Sequence, residues 1–407
     1  MDKRIVSIGL LSLVNVLGFS ILIPVLPFVV EKFGAGNITY GILIATYPFF
    51  QFLAAPALGT LSDHYGRRPL LIISQTGTLL SWIIFAISYF VPTIPIGPIA
   101  LPILILIVSR ITDGITGGNF SVANAYISDI TTRDQRTKIF GILGATVGVG
   151  LIIGPIVGGF LMSTEMGYFG IALFSFFLSL ITLVLMYRFL PESLSRNEQE
   201  EKLEFHILRE INIIGKINHF KRPNIRKLFF IRAFFALSFS SYTSTIVLFM
   251  RDGFNLTPGK IGLLFLVLGS FFIFNQAVAT PFFAKRFGDL QTFYIGQFLM
   301  MAGFILVSLA PSLWLFLPAA YIANLGASSS FPTFKSVITG LVDEKRQGAV
   351  TGVDESVLAG ASAIAPLMAS IIYNFTGQYA YAFFAAILVI PFVVIYLRTG
   401  SLFIKHR

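Results

Sequence analysis

Gly59-Thr-Leu-Ser-Asp63-His-Tyr-Gly66-Arg67-Arg68-Pro-Leu-Leu71 is a short charged interruption between two long apolar runs, residues 39–59 and 69–91. A run of about 20 apolar residues crosses the roughly 30 Å hydrocarbon core of a bilayer. The stretch therefore reads as a turn between two membrane-spanning helices. Composition agrees: 55% of the 407 residues are hydrophobic, only 12% are charged, and the mean hydropathy is +0.82. A soluble domain carries about 25% charged residues, so an ordinary soluble enzyme and a disordered chain are both excluded. An outer-membrane barrel is excluded too, because its alternating strands give no long apolar runs. The 43 Phe against 2 Trp and no Cys fit a lipid-facing chain that needs no disulfides.

Outward from this turn, apolar runs recur near residues 5–30, 39–59, 69–91, 99–128, 138–162 and 168–190. A second set lies near 227–250, 259–283, 290–310, 314–340, 348–373 and 379–398. The first run is too long for the apolar region of a signal peptide and is expected to be retained. Twelve helices in two groups of six follow. The positive-inside rule orients them. With both termini in the cytoplasm, 23 of the 29 Lys and Arg fall on that side, Lys32, Arg251 and Lys260 fall opposite, and Arg110, Arg232 and Lys335 lie within spans. The net charge of +10 is thus topological; it is no nucleic-acid footprint.

Residues 1–190 and 227–407 form the expected bundles, joined by a hydrophilic cytoplasmic stretch, 191–226. Within that stretch Leu203, Ile207, Ile211 and Ile214 recur at helical spacing, which predicts an amphipathic helix on the membrane surface. The halves carry traces of duplication. Gly59–Arg68 is echoed by Pro281-Phe-Phe-Ala-Lys285-Arg-Phe-Gly288-Asp289-Leu, and Gly154-Pro155 by Ala365-Pro366. Internal repeats with a site at their interface are a mark of secondary transporters.

The Gly59–Leu71 turn matches the signature between the second and third helices of the major facilitator superfamily. The fifth span adds Gly141, Gly150, Gly154-Pro155 and Gly158-Gly159, which resembles the antiporter motif of that superfamily's twelve-helix drug–proton exchangers. The fourth span, Ser109–Asp129, and Gly18-Phe-Ser-Ile-Leu-Ile-Pro24-Val-Leu-Pro27 resemble the tetracycline-efflux branch. The likeness covers most of the N-terminal half and weakens beyond it, although Asp343-Glu-Lys-Arg-Gln-Gly348 still fits. It implies an all-α membrane protein with two pseudo-symmetric six-helix bundles, a transporter and no enzyme. In that fold Gly59, Asp63, Gly66, Arg67 and Arg68, with Asp129 or Arg133 of the next cytoplasmic loop, form a charge lock whose breaking biases a conformational equilibrium. The glycines of the fifth span make a flat face for close helix approach, bent at Pro155. Tetracycline exporters carry membrane acids in helices 1, 3 and 9. The matching positions here are Asn15, Ser81 and Met300, so the groups that handle a metal–tetracycline chelate are missing.

Charged residues within a span are rare and functional by default. Asp113 follows Arg110 by three residues, one helical turn, so the two share a face and can pair. Burial disfavours the carboxylate's charge and the adjacent arginine favours it. Asp113 is therefore the leading proton carrier, with Arg110 as its partner; a permanently ionised structural pair is the alternative. Lys335 and the adjacent acids Asp354 and Glu355 lie at similar depth, roughly 10–12 Å from the loop joining their helices. Lys335 is expected to pair with Asp354 or Glu355, for proton coupling or for structure, and Arg232 is expected to anchor its helix at the surface. Polar residues expected to line a path are Asn15, Gln51, Asn119, Asn124, Ser241, Tyr242, Thr245, Asn275, Gln276 and Asn324, with Tyr47, Phe50, Phe120, Phe235 and Phe331 as an adaptable aromatic wall. All four His lie outside the spans, no metal-site spacing or nucleotide-binding loop is present, and no cofactor is expected.

The expected function is proton-coupled export of hydrophobic small molecules by a monomer in the cytoplasmic membrane. A facilitator or symporter for a sugar or organic anion, with Arg110 as ligand, is the alternative. A non-transporting receptor leaves the intact Gly59–Leu71 turn unexplained.

Overall fold

The computed structural model describes residues 3–194, 212–220, 222–343 and 346–399. Lys3–Ser20 (α1) and Leu26–Lys32 (α2) occupy the first expected span, broken just before Pro27, which sits in the first turn of α2 where its missing N–H costs nothing. Asn37–Tyr65 (α3) and Arg67–Phe90 (α4) flank the opening turn. A two-residue hairpin pairing Pro95–Ile96 (β1) with Ile99–Ala100 (β2) leads into Leu101–Gly117 (α5) and Phe120–Ile130 (α6), separated at Gly117-Gly118-Asn119. Arg133–Met162 (α7) and Gly167–Phe189 (α8) follow.

A short helix, Ile213–Asn218 (α9), precedes Pro223–Phe254 (α10). Pro258–Phe274 (α11) runs through one π-helical turn, Asn275–Ala279, into Thr280–Phe287 (α12). Asp289–Ser308 (α13), Leu313–Gly340 (α14), Gln347–Thr376 (α15) and Ala380–Thr399 (α16) complete the chain. Each of the twelve apolar runs coincides with one helix or with two in tandem. Among the described residues, nine helical stretches are long and apolar enough to cross a membrane, one of them, Gln347–Leu397, taking in both α15 and α16. Helical backbone satisfies its own hydrogen bonds, which a hydrocarbon environment demands.

The chain divides into two compact units, Met1–Ile211 with Thr257–Leu266, and Asn212–Leu256 with Val267–Arg407. In the first, α4 packs on α5, α3 on α5, α1 on α7, and α4 and α1 on α8. Ile8, Leu11, Leu71, Val122, Tyr126 and Ile127 fill one end of its core. In the second, α10 packs on α15 and α16, and α13 on α14 and α16. Phe229, Phe293, Phe334, Ile338 and Val350 form its core, with Ile213 and Ile217 of α9 packed against them. The predicted surface helix falls largely on residues outside the described set. Of its apolar stripe only Ile214 is described, and it is 73% exposed. Ile213 and Ile217, an i,i+4 pair of α9, are partly buried against the core of the second unit.

The repeat is visible in backbone geometry. Gly66, between α3 and α4, has φ +97° and ψ 157°; Gly288, between α12 and α13, has φ +80° and ψ 159°. Both require a residue without Cβ, which is why the glycine survives while the neighbouring charges have diverged.

The tightest helix pair is α13 and α14. A Cβ on Gly326 would meet the backbone of Met300 and Gly296, and one on Gly303 would meet Ala323. In hydrocarbon, close approach of this kind replaces the hydrophobic effect as the source of helix association. Gly326→Leu is expected to destabilise the second unit by about 1–3 kcal/mol through overpacking. Gly141→Ala is expected to be neutral, since a Cβ at Gly141 meets nothing within 4 Å. Thermal melting of the purified protein in detergent checks both.

Candidate functional site

The first unit holds a polar network inside its helices. Arg110 and Asp113 of α5, 2% and 3% exposed, are joined through Nη1 to Oδ2 at 3.1 Å. Helical periodicity puts both on one face, and the surrounding helices remove water. The guanidinium lies 4.8 Å from the Trp82 ring and 5.4 Å from Phe85 of α4, a cation–π arrangement that partly offsets desolvation. Its Nη2 donates to the Ser109 hydroxyl at 3.3 Å, and that hydroxyl donates to the Ser81 carbonyl at 2.8 Å. Gly18 of α1 lies beside the Asp113 carboxylate, where a Cβ would come within 3.9 Å of Oδ2.

One step along the same interior, Asn15 Nδ2 donates to Asn119 Oδ1 at 2.6 Å, and Asn119 Nδ2 donates to the Ser74 hydroxyl at 2.6 Å. Gln51 Nε2 donates to the Gly117 carbonyl at 2.9 Å and to Tyr47 Oη at 3.2 Å. Asn15 and Asn119 are thus joined directly, and Gln51 and Tyr47 meet the end of α5 at Gly117. Asn124 is exposed and outside this network. Asn15 lies in this neutral network, whereas Ser81 belongs to the Arg110 side, its carbonyl accepting from Ser109. Asp113 is the sole buried acid of the first unit among the described residues. Trp82 carried no recognisable signal in the sequence beyond being one of two Trp.

The charge lock is assembled at the α3–α4 turn. Arg67 pairs with Asp63 through Nη1, approaches Asp129 Oδ2 with Nε at 3.4 Å, and donates to the Ser62 hydroxyl at 2.6 Å. The Asp129 carboxylate also accepts from Ser193 Oγ at 2.9 Å. Glu192, not expected from the sequence, caps α4: its carboxylate oxygens accept from the backbone N–H of Arg67 at 2.9 Å and of Arg68 at 3.1 Å. A carboxylate at a helix N-terminus takes up amides that the helix leaves unpaired and favours its dipole. The Pro191-Glu192 step directly after an apolar run was the available clue. Arg68 turns away from the lock and donates through Nη2 to the Tyr187 carbonyl at 3.1 Å. A Cβ on Gly59 would approach the Ser121 hydroxyl to 3.9 Å. The Arg133 side chain lies outside the described residues.

The glycine face of α7 serves two neighbours. A Cβ on Gly150 would press on Val16 and Leu13, and one on Gly154 or Gly158 would collide with Ser20 or Ile21 of the first span. Ser20 Oγ donates to the Gly150 carbonyl at 2.9 Å across this contact. Gly159 and Pro155 instead meet Pro258, Gly259 and Gly262 in the segment that groups with the first unit. Gly141 meets nothing within 4 Å and takes no part in either contact.

In the second unit the structure corrects the expectation for Arg232 and gives Lys335 one of its two expected partners, Glu355. Arg232 does not sit at the surface. It is 1% exposed and grips Asp354 bidentately, Nε to Oδ1 at 2.7 Å and Nη2 to Oδ2 at 3.2 Å. Phe235, Phe331 and Phe334 surround its guanidinium at 4.7–5.0 Å. Lys335 pairs with Glu355 at 3.8 Å, and both side chains are more than half exposed. The reason is helical geometry. Adjacent residues point about 100° apart, so Asp354 faces the interior and Glu355 does not. Arg232 stands nine residues into α10 and Asp354 seven into α15, depths of about 13 and 10 Å, a match legible in the sequence once the spans are drawn.

Asn275 is buried at the π-helical turn and accepts from Tyr321 Oη at 3.1 Å; Asn324 Nδ2 donates to the Leu268 carbonyl at 3.0 Å. Such turns frequently mark functional positions. Tyr242 is buried and stacked on Phe304, whereas Gln276 is exposed. Among the described residues no cluster of three or more His, Asp or Glu is arranged to hold a metal ion.

Twelve apolar helical segments, a repeated glycine turn and buried charge pairs describe a multi-pass membrane transporter. The chain belongs to the major facilitator superfamily, whose model matches residues 8–279 and 228–402. It is 30% identical over 386 residues to the class H tetracycline resistance protein of Pasteurella multocida, covering 93% of this chain and 91% of that one. It is likewise 30% identical over 382 residues to the class C tetracycline resistance protein of Escherichia coli, covering 91% and 90%. In fold it is similar to the human organic anion transporter MFSD10 (TETRAN), with a TM-score of 0.70, 21% identity, and 97% and 99% of the two chains covered. The chain is therefore a transporter and not an enzyme.

Removing one partner of a buried ion pair strands the other charge, at a cost of about 3–5 kcal/mol. Asp354→Asn is expected to destabilise the protein on that scale, and Arg232→Met with Asp354→Leu to recover most of it. Glu355→Gln is expected to cost less than about 1 kcal/mol, since its pair is exposed. Denaturation midpoints of the four proteins check the set.

Proposed function

We propose that this transporter exports hydrophobic drugs or related small molecules in exchange for protons, by alternating access in the cytoplasmic membrane. The observation that carries the reading is the buried Arg110–Asp113 pair, set beside the neutral Asn15–Asn119–Ser74 chain. Protonation of Asp113 removes its charge and releases Arg110 from the pair. Any state that favours the released arrangement is then populated by the proton, and a substrate that favours the other state is driven against it. The likeness to tetracycline resistance proteins along nine-tenths of both chains supports export. The neutral residues at Asn15, Ser81 and Met300, with no metal-binding cluster among the described residues, favour a lipophilic substrate over a metal chelate.

In this reading residues 1–190 and 227–407 act as the two rocking halves around the cytoplasmic stretch 191–226, with both termini cytoplasmic and one chain as the working unit. Arg67, Asp63, Asp129 and Glu192 hold one conformation at that side. The α7 glycines let α7 lie close against α1 and the start of α11. Asp354 with Arg232 is the buried ion pair of the other half, and Lys335 with Glu355 an exposed one.

A second reading, transport of an organic anion, is favoured by one observation. Arg110 Nε and Arg232 Nη1 are buried donors without an acceptor among the described residues, and an anionic group would satisfy them. Vesicles reconstituted with the protein and loaded with a pH-sensitive dye separate the two. Proton movement is expected on addition of lipophilic drugs and is expected to fall about tenfold or more in Asp113→Asn. Movement triggered by organic anions or sugars but never by drugs sinks the export reading, and unchanged coupling in Asp113→Asn removes that residue's role.

A further inference from the structure

On the outer face of the first unit, α4 and α8 leave a groove of about 630 Å³ lined by Ile72, Thr76, Leu183, Val184, Tyr187 and Arg188. That volume lies within the range of ligand sites, about 300–1,000 Å³. Both helices are membrane-spanning by length and hydropathy. Ile73, Leu80, Ile181 and Val184 beside the groove are each at least half exposed, so this face meets lipid chains. The floor is apolar in effect, because the Thr76 hydroxyl is spent on the Ile72 carbonyl at 2.8 Å.

One end of the groove is basic. Arg188 is the last residue but one of α8, and Arg68 is the second residue of α4. Arg68 closes the groove end by donating to the Tyr187 carbonyl at 3.1 Å, with its guanidinium 5.7 Å from the Tyr187 ring. Among the described residues no acidic side chain pairs with Arg188. The carboxylate nearest to this end in the chain, Glu192, is occupied by the amides of Arg67, Arg68, Ser193 and Leu194. Thr76 lies nine residues along α4 from Arg67, about 13 Å deeper. The groove therefore runs from the headgroup level into the upper half of one leaflet.

We propose that this groove is a binding site for an anionic phospholipid, its phosphodiester on Arg188 with Arg68 behind, and one acyl chain over Ile72, Leu183 and Val184. A guanidinium at the interface matches phosphate oxygens in a fork geometry, and basic pockets between membrane helices bind anionic headgroups. A zwitterionic lipid gains less, because its ammonium finds no acidic side chain lining the groove. A free phosphate ion leaves the apolar length of the groove empty. The bound lipid ties the end of α8 to the start of α4, beside the Gly59–Leu71 turn. The proposal is independent of what the protein transports.

Native mass spectrometry of the full, delipidated chain in detergent tests it. The protein is titrated with phosphatidylglycerol, with phosphatidylcholine of the same acyl chains, and with inorganic phosphate. The wild type is expected to favour phosphatidylglycerol by about fivefold. Arg188→Gln is expected to abolish that preference, and Val184→Trp to weaken both lipids by filling the groove. Lys285→Gln, which removes an exposed charge outside this groove, is expected to keep the preference. Equal binding of the two lipids by the wild type overturns the proposal. So does a preference that survives Arg188→Gln or is lost equally in Lys285→Gln. Displacement of phosphatidylglycerol by equimolar phosphate reduces the site to a simple anion contact and also overturns it.

Discussion

A hydrocarbon interior offers no water, so every polar group placed there must find its partner within the protein. The backbone meets this requirement by becoming helix, and the few buried charges meet it by pairing. Among the described residues four charged side chains are buried, Arg110, Asp113, Arg232 and Asp354, and they form two pairs, one in each unit. Each arginine also lies against aromatic rings, Trp82 and Phe85 in one case and Phe235, Phe331 and Phe334 in the other. Such a site is costly to build, because each charge loses its hydration and only its partner replaces it.

The same constraint shapes helix packing. Without a hydrophobic drive between helices inside lipid, contact rests on dispersion, and dispersion falls steeply with distance. Glycine permits the shortest approach. Gly303 and Gly326 bring α13 against α14, and Gly154 and Gly158 bring α7 against the first span. At Gly66 and Gly288 the glycine has another role, because the turn needs a positive φ. Two functions of one residue type are thus separated by position: close approach within helices, backbone conformation between them.

The twelve spans, the Arg110–Asp113 spacing and the glycine turn were legible because each depends on residues near in sequence. Three or four residues on one helix face, or twenty apolar residues in a row, carry their own geometry. The pairing Arg232–Asp354 joins residues 122 apart, and the choice of Lys335 between Asp354 and Glu355 stayed open in the sequence for the same reason. Depth in the membrane was readable, but rotation about each helix axis was not. Glu192 was missed on similar grounds: its partners are backbone amides of α4, which composition does not reveal.

The sequence by itself determined that this is an all-helical membrane protein of duplicated halves and few charges, because hydropathy and helical periodicity act locally. Tertiary structure decided which of those charges are buried together, which glycines are contacts, and where a basic groove opens on the outer face. Those outcomes depend on how helices distant in sequence rotate and cross, and packing alone sets that.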